Sequence, residues 1–276
     1  MITVHHANNL DFLRSVPSGS VDLIYIDPPF NTGKVQRRTN AATVRDDEGS
    51  VGFQGRRYSF EKGEVREYQD SFGDYLGFLG SRLEEARRIL SDSGSIFVHL
   101  DPRESHYVKV FLDGLFGRSC FRNEIIWSYD YGARSKTAWS SKHDVILWYS
   151  KSPKSYTFNY DLIDRIPYMA PSLVGAEKAA RGKTPTDVWW NTIVSPTGKE
   201  KTGYPTQKPI SILERIVTVH SKPGDKLMDF FAGSGTFGEA SAKHGRECVL
   251  VDQNPQAIDV MRKRFSSASI GAVFYA

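Results

Sequence analysis

The string Asp27-Pro28-Pro29-Phe30 carries residues that could act on an amine attached to a flat ring. Asp27 offers a carboxylate, and Pro28 offers a backbone carbonyl whose direction is fixed by the proline after it. Two such acceptors could hold both N–H groups, so that the nitrogen lone pair turns out of the ring as charge develops. Phe30 supplies a face on which the ring could stack. The string therefore predicts chemistry on an exocyclic amine.

A second string, residues 229–237, is a glycine-rich turn that follows a predicted strand and opens a predicted helix. Backbone N–H groups face a ligand at such a turn, and no Cβ obstructs the approach. Gly233, Gly235 and Gly238 have the spacing G-x-G-x-x-G, and Asp252 ends the next strand, where an acid would accept ribose hydroxyls. The pattern predicts a nucleotide-like cofactor. A nicotinamide dehydrogenase stays an alternative, although the first string has no role in hydride transfer.

Both strings must be held by strands and helices that alternate along the chain. Apolar runs predict strands at residues 21–26, 95–100, 124–127, 145–149, 226–230 and 248–251. Helices are predicted after each of these strands except the third, with Pro209 and Pro255 at helix starts and Asn254 as a cap. This alternation predicts a mostly parallel sheet with helices on both faces. The polar stretches after Asn31 and after Ser150 leave the sheet as insertions.

Composition limits the function classes. The 276 residues, 39% of them hydrophobic, suffice for one large α/β domain. The two cysteines, Cys120 and Cys248, predict a cytoplasmic protein with reduced thiols, and no apolar run has membrane-spanning length. His99, Asp101, Glu104 and His106 match no metal-site spacing, so we expect no metal.

Positive charge is concentrated in one segment. Residues 131–208 contain 12 Lys and Arg against 6 Asp and Glu, whereas the whole chain has a net charge of +4. Many aromatic residues are interleaved with these cations, a mixture that suits a nucleic-acid surface. A solvated face over a small aromatic core fits the same composition.

The two strings and their order resemble the S-adenosylmethionine-dependent amino-methyltransferases of DNA, in the circularly permuted beta class. The resemblance covers nearly the whole chain and implies a Rossmann-like methyltransferase fold with a mostly parallel sheet of seven strands. It implies a catalytic half at residues 1–150 with a loop insertion at about 31–70, a target-recognition insertion at 151–202, and a cofactor-binding half at 203–276.

The resemblance also assigns the site. The catalytic residues would be Asp27, Pro28, Pro29 and Phe30, with Phe30 stacking on a flipped base. The cofactor would contact Asp27, the segment Asp229, Phe230, Phe231, Ala232, Gly233, Ser234, Gly235 and Thr236, and also Asp252 and Gln253. Thr206 and Lys208 would meet the methionine carboxylate. Asn8 stands where relatives have an acid that reads the adenine of the cofactor.

The implied substrate is double-stranded DNA, methylated at adenine N6 because Asp27 opens the string; cytosine N4 is the alternative. Expected DNA contacts are Arg37, Arg38, Arg56, Arg57, Lys136, Lys142, Arg181 and Lys183. A homodimer and a cognate restriction endonuclease are common in this class. A methyltransferase acting on RNA or on protein glutamine, or an inactive DNA-binding module, are more distant alternatives.

Overall fold

The computed structural model describes residues 1–31, 72–132, 134–195, 198 and 200–276, and the backbone of 34–51 and 57–70. The strands are β1 (Ile2–His6), β2 (Val21–Ile26), β3 (Lys34–Val51), β4 (Arg57–Asp70), β5 (Leu90–Leu100), β6 (Phe121–Ser128), β7 (His143–Ser150), β8 (Val188–Trp190), β9 (Lys226–Asp229), β10 (Glu247–Asp252) and β11 (Ala272–Tyr275). The helices are α1 (Asn9–Ser15), α2 (Tyr75–Ile89), α3 (Ser105–Phe116), α4 (Ala176–Arg181), α5 (Ile210–His220), α6 (Thr236–Lys243) and α7 (Pro255–Ser267).

Nine of these strands form one sheet, in the order β11-β1-β10-β9-β2-β5-β7-β6-β8. Within it β7 pairs antiparallel with both β5 and β6, and every other neighbouring pair is parallel. The predicted mostly parallel architecture is confirmed. The sheet has nine strands where seven were expected, because the short strands β11 and β8 extend its two edges.

Two helical layers cover the two faces of the sheet. Apolar side chains of α5, α6 and α7 pack on one face, together with Leu23 and Tyr25 of β2. Those of α1, α2 and α3 pack on the other face, together with Ile24 and Ile26 of the same strand. Alternate residues of β2 thus enter opposite cores, as the two-residue period of a strand requires. This arrangement explains why β2 is apolar at every position from Leu23 to Ile26.

Local signals in the sequence locate several ends of elements. The side chain of Asn254 caps α7 by accepting the Gln256 N–H at 2.9 Å, and Pro255 is the first residue of that helix, as predicted. Helix α3 ends at Phe116 with Gly117 (φ 89°) as its cap. Sequence patterns did not predict the strand β1, the edge strands β8 and β11, or the short helix α4.

The stretch predicted as a loop insertion contains the antiparallel pair β3 and β4, which forms a separate two-stranded sheet. Asn31 holds the point where the chain leaves the main body: its side-chain oxygen accepts the Phe72 N–H at 3.0 Å, and its amide donates to Glu104 Oε1 at 2.8 Å. Both ends of the excursion are therefore tied together beside the first string. None of the described helices is long and apolar enough to cross a bilayer.

Candidate active site

The site lies where β2 and β9 run side by side in parallel, with Ile24 opposite Met228. From β2 the chain goes on to β5, whereas from β9 it goes on to β10 on the other side. The two connections diverge, and a crevice opens at the carboxyl ends of the two strands. Asp27 follows β2 directly and Asp229 ends β9, so both predicted strings meet in this crevice.

The crevice is a cavity of about 400 Å³, which we call the first cavity. Most of the residues predicted for catalysis and cofactor binding line it: Asp27, Pro28, Pro29, Phe30, Thr206, Lys208, Asp229, Phe230, Phe231, Ala232, Gly233, Ser234, Thr236, Asp252 and Gln253. Asn8 and Gly235 do not.

Asp27 is held by a lysine from the other end of the chain. Lys208 Nζ donates to Asp27 Oδ2 at 2.6 Å, and the two side chains are 6% and 18% exposed. Among the described residues nothing donates to Asp27 Oδ1, which is buried. A buried carboxylate oxygen without a donor is costly, so it marks a place for a ligand N–H. The ion pair orients the carboxylate and leaves this one oxygen for that ligand.

Phe30 lines two neighbouring cavities, and the ammonium group of Lys208 lies over its ring. Lys208 Nζ lies 4.6 Å from the centroid of the Phe30 ring, within the range of a cation–π contact. The residue after it, Asn31, has a φ of 54° and is fixed by the hydrogen bonds to Glu104 and Phe72. A side chain held on such a constrained turn can present one fixed face to a ring.

The glycine turn is fixed by the two acids that flank it. Asp229 Oδ1 accepts the Phe231 N–H at 2.9 Å, and Asp252 Oδ2 accepts the Gly233 N–H at 2.8 Å. The other oxygen of Asp252 accepts the Asn254 N–H at 2.8 Å. Burial raises the pKa of both carboxyl groups, and Asp27 and Asp252 raise the pKa of Asp229 further. Asp252 thus shapes the turn as well as offering lone pairs to the cavity.

The glycines of the turn have different roles. A Cβ on Gly233 (φ 49°) would lie 3.1 Å from the ring of Tyr204, a residue that lines the first cavity. A Cβ on Gly235 (φ 73°) would lie 2.6 Å from Met261 Cγ in α7. Gly235 does not line the first cavity, and its contact with the cofactor stays a prediction. Gly235 makes room for a helix, and Gly233 faces the cavity.

Asn8 does not line the first cavity, and its contact with the adenine of the cofactor stays a prediction. Its side-chain oxygen accepts the N–H groups of Leu10 at 3.0 Å and Asp11 at 3.4 Å, so it is the N-cap of α1. The neighbouring Asn9 lines the first cavity. Asn9 donates to the Phe230 carbonyl at 2.8 Å and accepts from Arg82 Nε at 2.7 Å. A capping preference and an adenine contact look alike in sequence, because both need an Asn or Asp.

Thr206 and Lys208 lie on a constrained loop. Thr206 has a φ of 57°, in the left-handed region that a β-branched residue rarely adopts. Gln207 stabilises the loop, because its Oε1 accepts the Thr202 N–H at 2.9 Å and its amide donates to the Glu200 carbonyl at 2.8 Å. Such strain is concentrated at functional sites.

Sequence reasoning missed several residues that line the first cavity, among them Tyr25, Phe72, Phe78, Arg82 and Tyr204. The guanidinium of Arg82 lies 3.9 Å from the centroid of the Phe78 ring, on one wall. Tyr25 lies within a buried strand and reads as a core residue. The available signal was its place two residues before Asp27, near the carboxyl end of β2 where the crevice opens.

A second cavity, of about 820 Å³, adjoins the first and shares Phe30, Thr206, Gln207 and Lys208 with it. Its wall includes Tyr131 and Ser141, which belong to the β6–β7 loop (residues 129–132 and 134–142). This loop leaves the carboxyl edge of the sheet, because Ser128 pairs with His143 there. Lys136 and Lys142 lie on it.

The other predicted DNA contacts lie elsewhere. Arg181 ends α4 and is exposed, and Lys183 pairs with Ile166; neither lines the first or the second cavity. Arg56 lies outside the described residues, as do the side chains of Arg37, Arg38 and Arg57. All eight remain predictions.

The acids and histidines near the end of β5 have separate partners. Asp101 pairs with Arg103, Glu104 accepts from Asn31, and His106 is exposed. His99 is fully buried and bonded to Tyr25 and Asp144. No cluster of metal-ligating side chains occurs in the described part of the chain.

Comparison with known proteins decides the family. The profile of the DNA methylase family, which covers N6 and N4 methyltransferases, matches residues 21–263. The type II methyltransferase M.HpaI of Haemophilus parainfluenzae is 30% identical over 261 residues, which are 95% of this chain and 73% of that protein. The DNA adenine methyltransferase YhdJ of Escherichia coli K12 is 29% identical, over 97% of this chain and 83% of that protein. The chain belongs to the DNA methylase family.

Two solved structures have folds that agree with this family. The complex of M1.HpyAVI with S-adenosylmethionine superposes with a TM-score of 0.62 at 19% identity, over 96% of this chain and 99% of that one. The cytosine-N4-specific PvuII DNA methyltransferase gives 0.65 at 15% identity, over 96% and 86%. The predicted family, fold class and cofactor are confirmed: DNA methylases of this kind use S-adenosylmethionine. The dehydrogenase alternative is excluded.

Proposed function

We propose that this DNA methylase transfers a methyl group from S-adenosylmethionine to the N6 amine of adenine in double-stranded DNA, after the base has rotated out of the duplex. The observation that carries the proposal is Asp27 Oδ1, a buried acceptor without a donor among the described residues, on a side chain that lines the first cavity together with Phe30. An exocyclic amine supplies the missing N–H. A flipped base supplies the ring that Phe30 stacks on.

The residues of the first cavity fit the cofactor. Gly233 leaves a space that a Cβ would fill, and Asp252 presents a fixed carboxylate at the same turn. Lys208 provides a buried ammonium, which suits a carboxylate. When bound, S-adenosylmethionine would supply a methyl group on a positively charged sulfur.

The chain's own residues would then prepare the amine. Asp27 Oδ1 accepts one N–H and the Pro28 carbonyl the other, so that the nitrogen lone pair turns out of the ring plane. Lys208 keeps Asp27 in place by holding Oδ2. As the nitrogen gains the methyl carbon it becomes positively charged, and Asp27 Oδ1 is the acceptor placed to receive the proton that it loses.

The choice of adenine rests on Asp27 at the start of the string, since cytosine-N4 members usually begin it with Ser. The relative YhdJ, named an adenine methyltransferase, supports the same choice. Cytosine N4 is the second candidate, because the cytosine-N4-specific PvuII enzyme shares the fold and the same acceptors would hold either amine.

We assign target recognition to residues 151–202 and to the β6–β7 loop, with the domain boundaries given above. The relatives M.HpaI and M.HinfI are both named type II methyltransferases. We accordingly extend the proposal to a cytoplasmic protein that has a cognate endonuclease. The methyltransferase itself acts as a monomer or as a homodimer.

The test is expression in bacteria that lack DNA methylases, followed by digestion of their DNA to nucleosides and mass spectrometry. We expect N6-methyldeoxyadenosine, and none in cells that express Asp27→Ala. N4-methyldeoxycytidine in its place would overturn the choice of base and leave the reaction intact. Unmodified DNA from cells with folded wild-type protein would overturn the function itself.

A further inference from the structure

A chain of buried polar side chains runs beneath the first cavity, and the chemistry above makes no use of it. The Tyr25 hydroxyl lies 2.8 Å from His99 Nδ1, and His99 Nε2 lies 3.1 Å from Asp144 Oδ2. The Tyr129 hydroxyl donates to the other oxygen of Asp144 at 3.1 Å. Tyr25 lines the first cavity, whereas Asp144 and Tyr129 line the second. The chain thus links the floor of one cavity to the wall of the other.

The direction of each hydrogen bond follows from the protonation states. Burial opposes ionisation of Asp144, but the hydrogen bond from His99 and further contacts hold its pKa below the ordinary value, so the carboxylate accepts. Burial lowers the pKa of His99, which keeps the imidazole neutral. Its one hydrogen must then lie on Nε2, facing Asp144, and Nδ1 is an acceptor. Tyr25 therefore donates its hydrogen to His99.

This arrangement fixes what Tyr25 can offer to a ligand. Burial raises the pKa of Tyr25 well above its ordinary value, and Asp27 raises it further, so the hydroxyl stays neutral. With its hydrogen committed to His99, the oxygen presents only lone pairs. The ring is fixed by stacking on Phe237 at 5.4 Å between centroids. Tyr25 also precedes Asp27, the acceptor of the amine, by two residues, and both line the first cavity.

We infer that the Tyr25 oxygen accepts weak C–H hydrogen bonds from the methylsulfonium of the cofactor, and that His99 and Asp144 hold it in this acceptor state. The inference rests on the proposed function. A methyl group on a positively charged sulfur has polarised C–H bonds, and the demethylated product has a neutral thioether. A Tyr25 oxygen that can only accept hydrogen bonds therefore stabilises the bound methylsulfonium. It makes no such favourable contact with the neutral thioether of the product. Tyr25 is then a cofactor-binding residue, and His99 is a positioning residue.

The test compares affinities for the two forms of the cofactor by calorimetry on the full chain. Tyr25→Phe removes one oxygen and keeps the ring. We expect affinity for S-adenosylmethionine to fall about five-fold, with affinity for S-adenosylhomocysteine unchanged. The matched control is Tyr149→Phe, because the Tyr149 hydroxyl bonds Asp113 at 2.7 Å and does not line the first cavity. In Tyr149→Phe, the ratio of the affinity for S-adenosylmethionine to the affinity for S-adenosylhomocysteine should equal that of the wild type.

Two variants of His99 test the positioning role. Gln can offer one acceptor and one donor, so His99→Gln should keep the wild-type ratio of affinities. His99→Leu offers neither, and should lower the ratio as Tyr25→Phe does. A merely structural role would weaken both ligands equally. Thermal unfolding of each variant identifies the variants that fold. If a His99 variant does not fold, the result for Tyr25→Phe decides the test.

A third ligand separates charge from shape. Sinefungin carries a protonated amine where the cofactor carries its methylsulfonium, and it should also lose affinity in Tyr25→Phe. An unchanged ratio of affinities in a folded Tyr25→Phe would overturn the inference. Failure of the wild type to bind either form of the cofactor would instead overturn the proposed function.

Discussion

At the scale of single residues, Asp27 is set apart by the unequal surroundings of its two oxygens. Lys208 holds Oδ2, and Oδ1 is buried without a donor among the described residues. We expect Asp27→Ala to lower kcat by about 100-fold or more, because an acceptor that acts mainly in the transition state is lost. Affinity for the cofactor should stay within a few-fold of the wild type. Single-turnover kinetics and calorimetry measure the two quantities.

Asp27→Asn is the matched control for that prediction. Its amide oxygen can still accept an N–H, but it has no charge and pairs less strongly with Lys208. We expect its activity to lie between those of the wild type and Asp27→Ala. Full activity in Asp27→Ala would contradict the mechanism.

The two glycines of the turn give a second pair of variants. Gly235→Ala forces a Cβ against Met261 in a left-handed conformation, so we expect it to lower the free energy of unfolding by roughly 2–4 kcal/mol. Gly233→Ala places its Cβ against Tyr204 at the first cavity. This substitution should lower the free energy of unfolding by roughly 1–2 kcal/mol and weaken binding of the cofactor. Denaturant unfolding and calorimetry distinguish the two; the reverse pattern would show that their roles are exchanged.

At the scale of elements, the β6–β7 loop is the part of the basic segment that the fold brings to the second cavity. Its two ends line that cavity, and Lys136 and Lys142 lie between them. Each phosphate contact adds about one to the slope of log affinity against log salt concentration. Replacing both lysines by Gln should therefore make the slope shallower by about two for a duplex of fixed sequence.

The comparison pair is Arg181 and Lys183, which lie outside the β6–β7 loop, at the end of α4 and just after it. Replacing these two by Gln should change the slope less than replacing Lys136 and Lys142. Fluorescence anisotropy at several salt concentrations gives both slopes. A larger effect from Arg181 and Lys183 would move the DNA surface from the loop to α4.

At the scale of the whole molecule, His220 makes stability depend on pH. Its ring packs against Trp148 at 4.3 Å and Phe97 at 4.7 Å between centroids, and burial lowers the pKa of His220 to about 3. In the unfolded chain its pKa is about 6.5, so below that pH the unfolded state binds more protons. Stability from this group is complete above pH 6.5 and is lost as the pH falls.

From pH 7 to pH 5 the loss due to His220 should be roughly 2 kcal/mol in the free energy of unfolding. We expect His220→Leu to lack this part of the acid dependence, while His99 still contributes in both proteins. Denaturant unfolding at the two pH values measures the difference. Equal losses in wild type and variant would show that His220 is protonated in the folded state.

Many elements of this molecule could be predicted from its sequence, because short-range patterns of residue types determine them. A buried strand at Val21–Ile26 follows from an apolar run that ends at two prolines, and the start of α7 follows from Asn254 and Pro255. The chemistry of the two strings follows from residue types next to each other in the chain. Parallel strands then bring both strings to one edge of the sheet.

The tertiary structure decided which of these residues face the cavity and what holds them. Lys208 pairs with Asp27 across 181 positions, and Tyr25 bonds His99, which bonds Asp144. Whether Gly235 makes room for Met261 depends on elements that meet only in the fold, whereas the capping role of Asn8 is local to the start of α1. Local periodicity determines an element and its faces, but contacts between distant elements are set by packing, which no short pattern encodes.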